Sequence, residues 1–371
     1  MGIFGKKKPA VSEQQIKEAL SQVQDPDLHQ DIVSLGFVKK IDFHKGKVSL
    51  IVELTTPACP MKEMLRDQCV DVVKAIEGVE DVSIEMTAQT HRARAIPDLV
   101  QGALGQVKNI IAVASGKGGV GKSTSAVNLA FALQQKGSKV GLLDADIYGP
   151  SIMQMTKVGK PEETKGDFIV PPIFAGVKII SVAMFTEAKQ AQLLRGPMVA
   201  QIIKQFLTQI DWGELDYLII DYPPGTGDIQ LTLSQIAPIT GAVVVTTPQE
   251  VALIDVRKAI SMFETMKVPV LGVVETMSYF MCPGSEKKHF IFGKNGGRKV
   301  ADENGVPLLG EIPIEPVVAE NSDKGKPVVI SDSNALASLA YNHIAGQLAA
   351  QQSIVNSQSD RALTHFKLEW V

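Results

Sequence analysis

The sequence predicts an α/β protein: a doubly wound, mostly parallel sheet carrying a glycine-rich phosphate loop, preceded by a small α/β domain. Three observations lead there. From Lys108 onward, short apolar runs alternate with longer helical stretches, the rhythm of strands covered on both faces by crossover helices. The run Gly116-Lys117-Gly118-Gly119-Val120-Gly121-Lys122-Ser123 satisfies G-x-x-x-x-G-K-[ST] between such a strand and a helix. A stretch without periodicity, residues 88–107 with Pro97 inside it, separates this half from an earlier one. At 371 residues the chain is too long for one ordinary domain and fits two.

The first domain is expected over 12–87. Ser12 precedes Glu13 and a helical run ending near Leu20, an N-cap followed by an early acid. Asp25-Pro26-Asp27 breaks that helix. A strand near Val38–Ile41 turns at Lys45-Gly46-Lys47 into one in which Val48, Leu50, Val52 and Leu54 alternate with other residues. Met61, Leu65, Cys69, Val72 and Ile76 are spaced as one face of a helix, and a strand over 82–86 closes the unit. Residues 88–107 read as a linker that lets the domains move. The second domain, 108–350, is expected to hold strands at 110–114, 140–143, 177–182, 217–221, 242–246, 270–274 and 307–309. Residues 351–371 begin polar and read as a mobile tail.

Composition narrows the function. Hydrophobic residues are 45% and charged residues 21%, the balance of a packed globular protein. A formal net charge of −3 gives no positive field for nucleic acid, so no such partner is expected. Three cysteines make no disulfide framework and point to a reducing compartment. The basic start Met1 to Pro9 has no apolar segment behind it, unlike a secretory signal. No apolar run approaches the roughly 18–20 residues that span a bilayer. A cytoplasmic location without a membrane partner is expected.

The glycine-rich run carries the chemistry. Its glycines let backbone N–H groups cradle phosphate oxygens. Lys122 reaches the β- and γ-phosphates of ATP, the Ser123 hydroxyl ligates Mg²⁺, and Thr124 follows in the same turn. Asp144 and Asp146 end one strand and Asp221 ends another, at the sheet edge where open α/β folds bind ligands. Asp221 stands as the acid that holds Mg²⁺ through water. Pro223-Pro224-Gly225-Thr226-Gly227-Asp228 behind it has the make-up of a switch that senses the γ-phosphate.

Lys117, directly after the first glycine, makes the run resemble the deviant Walker A of the MinD, ParA and nitrogenase iron protein group. The resemblance implies a homodimer in which this lysine reaches the partner's nucleotide; the alternative is a solvated lysine at a loop tip. It also implies that Asp146 positions or deprotonates the attacking water while Asp144 supports the metal shell. Asp144-Ala145-Asp146-Ile147-Tyr148-Gly149-Pro150-Ser151, Arg195-Gly196-Pro197-Met198, the segment from Asp221 to Asp228 and Thr247-Pro248-Gln249-Glu250 are similar to the Mrp/ApbC family of iron–sulfur cluster carrier ATPases. Asp25-Pro26-Asp27-Leu28 and Leu54-Thr55-Thr56-Pro57-Ala58-Cys59-Pro60 resemble the assembly-type domain this family often carries first. The implied activity is slow ATP hydrolysis linked to passing a cluster to apoproteins, with a Cys-x-x-Cys from each subunit holding a 4Fe–4S cluster.

Two departures bear on that expectation. The family reads Met-Ser-x-Phe-x-Cys-Pro-x-Cys, whereas Ser285 stands here where the second cysteine belongs, three residues after Cys282. A hydroxyl is a poor ligand for a soft iron site. Cys282 is then either a cluster ligand whose shell other groups such as His289 or Cys59 complete, or an ordinary cysteine. In the second reading the protein is a nucleotide-switched regulator that has lost stable cluster binding. Thr276 replaces the family's base-reading asparagine and offers one hydroxyl in place of an amide's donor and acceptor. Cys59, between prolines at a helix start near Lys62 and Arg66, is placed as a transient iron ligand or as a small hydrophobe. Cys69 lies on the apolar helix face and belongs to the core. Leu363, Phe366, Trp370 and Val371 give the tail a faint helical apolar spacing, too short and charged for a membrane helix.

Overall fold

A computed structural model of the chain describes residues 11–91, 101–147, 149–185 and 196–364. Its contacts divide into two units, one ending at His91 and the other beginning after it.

The first unit contains α1 (Glu13–Leu20), β1 (Val38–His44), β2 (Lys47–Leu54), α2 (Lys62–Lys74) and β3 (Asp81–Ala88). Ser12 starts α1 with a capping box: its hydroxyl accepts the Gln15 amide at 3.2 Å, and the Gln15 side-chain oxygen accepts the Ser12 amide at 2.9 Å. β1 and β2 form an antiparallel hairpin, while β2 and β3 run parallel with α2 as their crossover. Alternation along β2 sends Val48, Leu50, Val52 and Leu54 into a core with Ile16 and Leu20 of α1 and Leu65, Cys69 and Val73 of α2. Burial pushes the Cys69 thiol up to about 11, so it is an inert core residue, as its helix position indicated.

The second unit runs through α3 (Gln101–Leu104), β4 (Val107–Ser115), α4 (Lys122–Gln135), β5 (Val140–Asp144), α5 (Ile152–Thr156), β6 (Ile173–Phe174), β7 (Val177–Ser181), α6 (Gly196–Gln209), β8 (Leu215–Asp221), α7 (Asp228–Ile236), β9 (Gly241–Thr246), α8 (Glu250–Thr265), β10 (Val270–Glu275), α9 (Gly296–Glu303), β11 (Leu308–Glu311), α10 (Pro316–Asp323), α11 (Val328–Ser331) and α12 (Leu336–Thr364). One sheet orders its strands β6-β7-β5-β8-β4-β9-β10-β11. Every pairing is parallel except the β6–β7 hairpin at the edge. All residues of β5, β8 and β9 are buried, which is why these strands read as unbroken apolar runs. From β4 the chain crosses by α4 toward β5, whereas β9 crosses by α8 in the opposite direction to β10. Right-handed crossovers in opposite directions put α4 and α8 on opposite faces and open a crevice at the carboxyl end of β4. The phosphate loop leaves β4 at that crevice.

Each of the seven expected strands is present, with small shifts at its ends. β6 was not anticipated, since two residues show no period. Two other expectations need correction. The stretch 88–107 is structured at both ends: Ala88 still pairs with Leu54, the Gln89 amide donates to the Leu54 carbonyl at 2.9 Å, and α3 buries Leu104. Residues 92–100 lie outside the described residues. The supposed tail also begins inside α12, which continues to Thr364.

The polarity that suggested a tail is a buried amide ladder. Gln352 donates to Asn356 at 2.8 Å, Asn356 to Asn109 of β4 at 3.0 Å, and Asn109 to the Asp216 carbonyl at 3.1 Å. Gln352 and Asn356 are both buried. The apolar tail positions Phe366, Trp370 and Val371 lie outside the described residues. No helix among the described residues is long and apolar enough to cross a membrane. Asn356→Ala removes one hydrogen bond to the residue on either side and should lower the unfolding free energy by about 1–3 kcal/mol in urea titrations. An unchanged midpoint would mean that this stretch of α12 is not anchored.

Candidate nucleotide site

The loop between β4 and α4 is shaped by backbone demands. Gly119 and Gly121 have φ of 79° and 81°, in the left-handed region that residues with side chains avoid. Gly116 is needed for a different reason. A Cβ there would sit 2.3 Å from the backbone carbon of Asp255, so α8 seats directly against the first residue of the loop. The Ser115 hydroxyl donates to the Lys117 carbonyl at 2.9 Å, and the Ser115 carbonyl accepts the Gly225 amide at 3.0 Å. The second contact ties the segment after Asp221 to the end of β4. Gln230 holds the same segment by donating to the Pro224 carbonyl at 2.6 Å.

Lys122, at the start of α4, is 6% exposed. Its Nζ donates to Asp221 Oδ1 at 2.5 Å and to Ser123 Oγ at 3.2 Å, and lies 3.6 Å from Asp146 Oδ2. Asp144, fully buried at the end of β5, accepts the Ser181 hydroxyl at 2.9 Å and the Asp146 amide at 3.2 Å. Burial, and then the charge of Asp221, push the Asp144 carboxyl up to about 8. Burial also raises Asp221, opposed by Lys122. Burial is the first cause of both shifts, and the crowding of three carboxylates around a single ammonium adds to it.

Mg²⁺ fits this donor set. Asp221 Oδ2 is buried without a hydrogen-bond partner, the Ser123 hydroxyl is beside it, and the cluster is short of positive charge. Hard oxygen donors and uncompensated negative charge suit this cation. Asp146 is held by the Gly149 amide, which donates to its Oδ1 at 3.1 Å. Thr124 is turned toward α5, its hydroxyl 3.9 Å from the Met155 sulfur. Lys117 is partly exposed and forms no ion pair among the described residues. The structure thus brings Lys122, Ser123, Asp144, Asp146 and Asp221 together.

The cysteines belong to other segments of the chain. Cys282 is exposed at the tip of a hairpin pairing Phe280–Met281 with Lys288–His289. Cys282-Pro283-Gly284-Ser285 forms a tight turn, closed by the Ser285 amide donating to the Cys282 carbonyl at 3.0 Å, with Gly284 at φ 77°. The Ser285 hydroxyl accepts the Lys287 amide at 3.1 Å. Cys59 is half-buried in the first unit, ahead of α2, its amide donating to the Thr56 carbonyl at 3.3 Å. Among the described residues, neither Cys282 nor Cys59 belongs to a group of three or more His, Cys, Asp or Glu arranged to hold a metal ion. Ser181, Asp255 and Gln230 were missed in the sequence. Ser181 and Asp255 act through contacts across the fold, and Gln230 through a bond to a carbonyl six residues earlier, none of which a motif announces.

A doubly wound sheet with this loop, lysine and strand-end aspartates defines a P-loop NTPase. Comparisons with known proteins narrow the class. A ParA-type family model described as NUBPL iron-transfer P-loop NTPase matches residues 106–349, and an iron–sulfur cluster assembly protein model matches residues 13–86. An iron–sulfur cluster carrier protein of Synechocystis sp. is 46% identical over 341 residues, covering 90% of this chain and 96% of that one. One from Deinococcus radiodurans is 47% identical over 338 residues, covering 91% and 94%. A solved nucleotide-binding protein of Archaeoglobus fulgidus, in complex with ADP, is similar at 39% identity and a TM-score of 0.56, covering 63% of this chain and 93% of that one. The chain belongs to the NUBPL-type iron-transfer P-loop NTPase family.

Gly116→Ala should force the loop and α8 apart and lower stability by about 1–3 kcal/mol, read as a fall in melting temperature. Gly159→Ala, whose new Cβ meets nothing within 4 Å, is the matched control. Equal melting temperatures would contradict the close approach.

Proposed function

We propose that this protein is an ATP-hydrolysing carrier of iron–sulfur clusters, closing as a homodimer around nucleotide and passing its cluster to apoproteins. The reading rests on the Lys122 cluster at the mouth of the loop, together with the carrier names of its relatives. ATP is taken as the nucleotide and a cytoplasmic setting as the location. The proposed order of domains is an assembly-type domain over 12–87 and an ATPase domain over 108–350.

In this reading Lys122 exchanges Asp221 for the β- and γ-phosphates of the incoming nucleotide. Ser123 and Asp221 would hold Mg²⁺, which supplies charge neutralisation at the phosphates. Asp146, released from Lys122, orients the water whose oxygen attacks the γ-phosphorus, and the bond to the β–γ bridging oxygen breaks. Asp144 stays inside as the support that Ser181 holds. Lys117 crosses to the partner's nucleotide, and its lack of an ion pair among the described residues leaves it available. The segment from Pro223 to Asp228 senses the γ-phosphate through Gly225 on Ser115. Hydrolysis is slow, since an ATPase used as a switch profits from a long-lived bound state.

The cluster is cargo, and Cys282 is its proposed ligand. The exposed turn supports this, because a thiolate at a loop tip can meet a second copy. Ser285 leaves one thiolate from each subunit's hairpin where four would make a full shell. Cys59 remains a candidate transient ligand. The second reading, a nucleotide-switched regulator without a stable cluster, draws on Ser285 alone.

Three variants test the proposal. Lys122→Ala should abolish phosphate release. Lys117→Ala should lose hydrolysis by roughly tenfold or more while keeping most ATP affinity, as expected of a charge that acts only on closure; equal loss of both would refute the action in trans. Ser285→Cys, reconstituted with iron and sulfide without oxygen, should retain more iron per dimer than the parent chain. No iron in either protein would favour the regulator.

A further inference from the structure

We propose that Thr276 is a positioning residue for the phosphate loop and takes no part in reading the base, an inference that rests on the nucleotide reading above. Thr276 follows β10 and is 4% exposed. Its hydroxyl oxygen is 2.6 Å from the Val120 carbonyl and 2.9 Å from the Thr246 carbonyl. A hydroxyl has one proton to give. The Thr246 carbonyl already accepts the Thr276 amide at 2.8 Å. Of the two contacts the one to Val120 is the shorter, and the proton goes there.

Val120 stands between Gly119 and Gly121, both left-handed. The peptide joining Val120 to Gly121 is planar and trans, so its carbonyl and its N–H point in opposite directions. Drawing the Val120 carbonyl toward Thr276 turns the Gly121 N–H the other way. That fixes one plane of the loop without touching any ligand. The rest of the side chain also faces the loop: its methyl carbon would be 3.5 Å from a Cβ built at Gly121. Hydroxyl and methyl are both spent on the loop, and neither is presented to solvent, where a base would have to meet it.

The position therefore acts on the triphosphate through backbone orientation and is blind to the base. Thr276→Val keeps the shape and removes the proton donor; Thr276→Ser keeps the donor and removes the methyl. Affinities of the full chain for Mg²⁺-ATP, Mg²⁺-GTP and inorganic tripolyphosphate separate the roles. Thr276→Val should weaken all three by the same factor, about three- to tenfold for one neutral hydrogen bond, with the ATP:GTP ratio unchanged. Thr276→Ser should recover most of that loss. An altered ATP:GTP ratio with tripolyphosphate unaffected would identify a base reader and overturn the proposal. Parent-like affinity of Thr276→Val for all three ligands would overturn it equally. Should the valine chain not fold, Thr276→Ser decides: a fall in affinity as large as that of Thr276→Ala removes the hydroxyl from the argument. A parent chain that binds none of the three ligands would instead remove the nucleotide reading itself.

Discussion

The second unit is organised around a buried ammonium that faces more carboxylates than its one charge can balance. Lys122 contacts Asp221 and Asp146 almost out of reach of water, with Asp144 close behind. A single cation faces three acids in a low-dielectric pocket, where burial first and the neighbouring Asp221 carboxylate second push the Asp144 carboxyl up. Such a cluster is costly unless something else shares the negative charge. The sheet explains how it is kept together. β5 and β8 are in register, with Asp144 paired to Asp221, so two acids emerge side by side from adjacent strands. Lys122 is delivered by the turn between β4 and α4 directly beside them.

Much of this could be read from the residues in order. Strand-ending aspartates and the glycine run carry their meaning locally, because each is a short segment whose backbone geometry is nearly dictated by its composition. The buried strands showed as apolar runs for the same reason. What escaped notice was polarity used internally. Gln352 and Asn356 look like solvated residues until Asn109, far away in sequence, is brought against them. Thr276 looks like a weakened base reader until its hydroxyl is seen on Val120. Long-range hydrogen bonds leave no periodic trace, and a polar residue in a linear sequence is assigned to water by default.

The cysteines illustrate the opposite limit. Cys69 was legible because an apolar helix face fixes its surroundings. For Cys282 the sequence left the surroundings open and the fold shows a turn exposed to solvent, in which the turn's own bonds occupy Ser285, whose hydroxyl accepts the Lys287 amide. A cysteine in that place would have kept the same backbone turn, since the closing bond runs between main-chain atoms. The loop's shape is thus independent of the ligand count it offers.

The contact between Gly116 and Asp255 has a consequence for how the sequence can drift. Every atom that Gly116 would strike at 2.3–2.6 Å is a backbone atom or Cβ of Asp255, and all residues except glycine supply these alike. Tolerance along this seam should be lopsided: position 255 is free to exchange its side chain over generations, whereas position 116 can accept none.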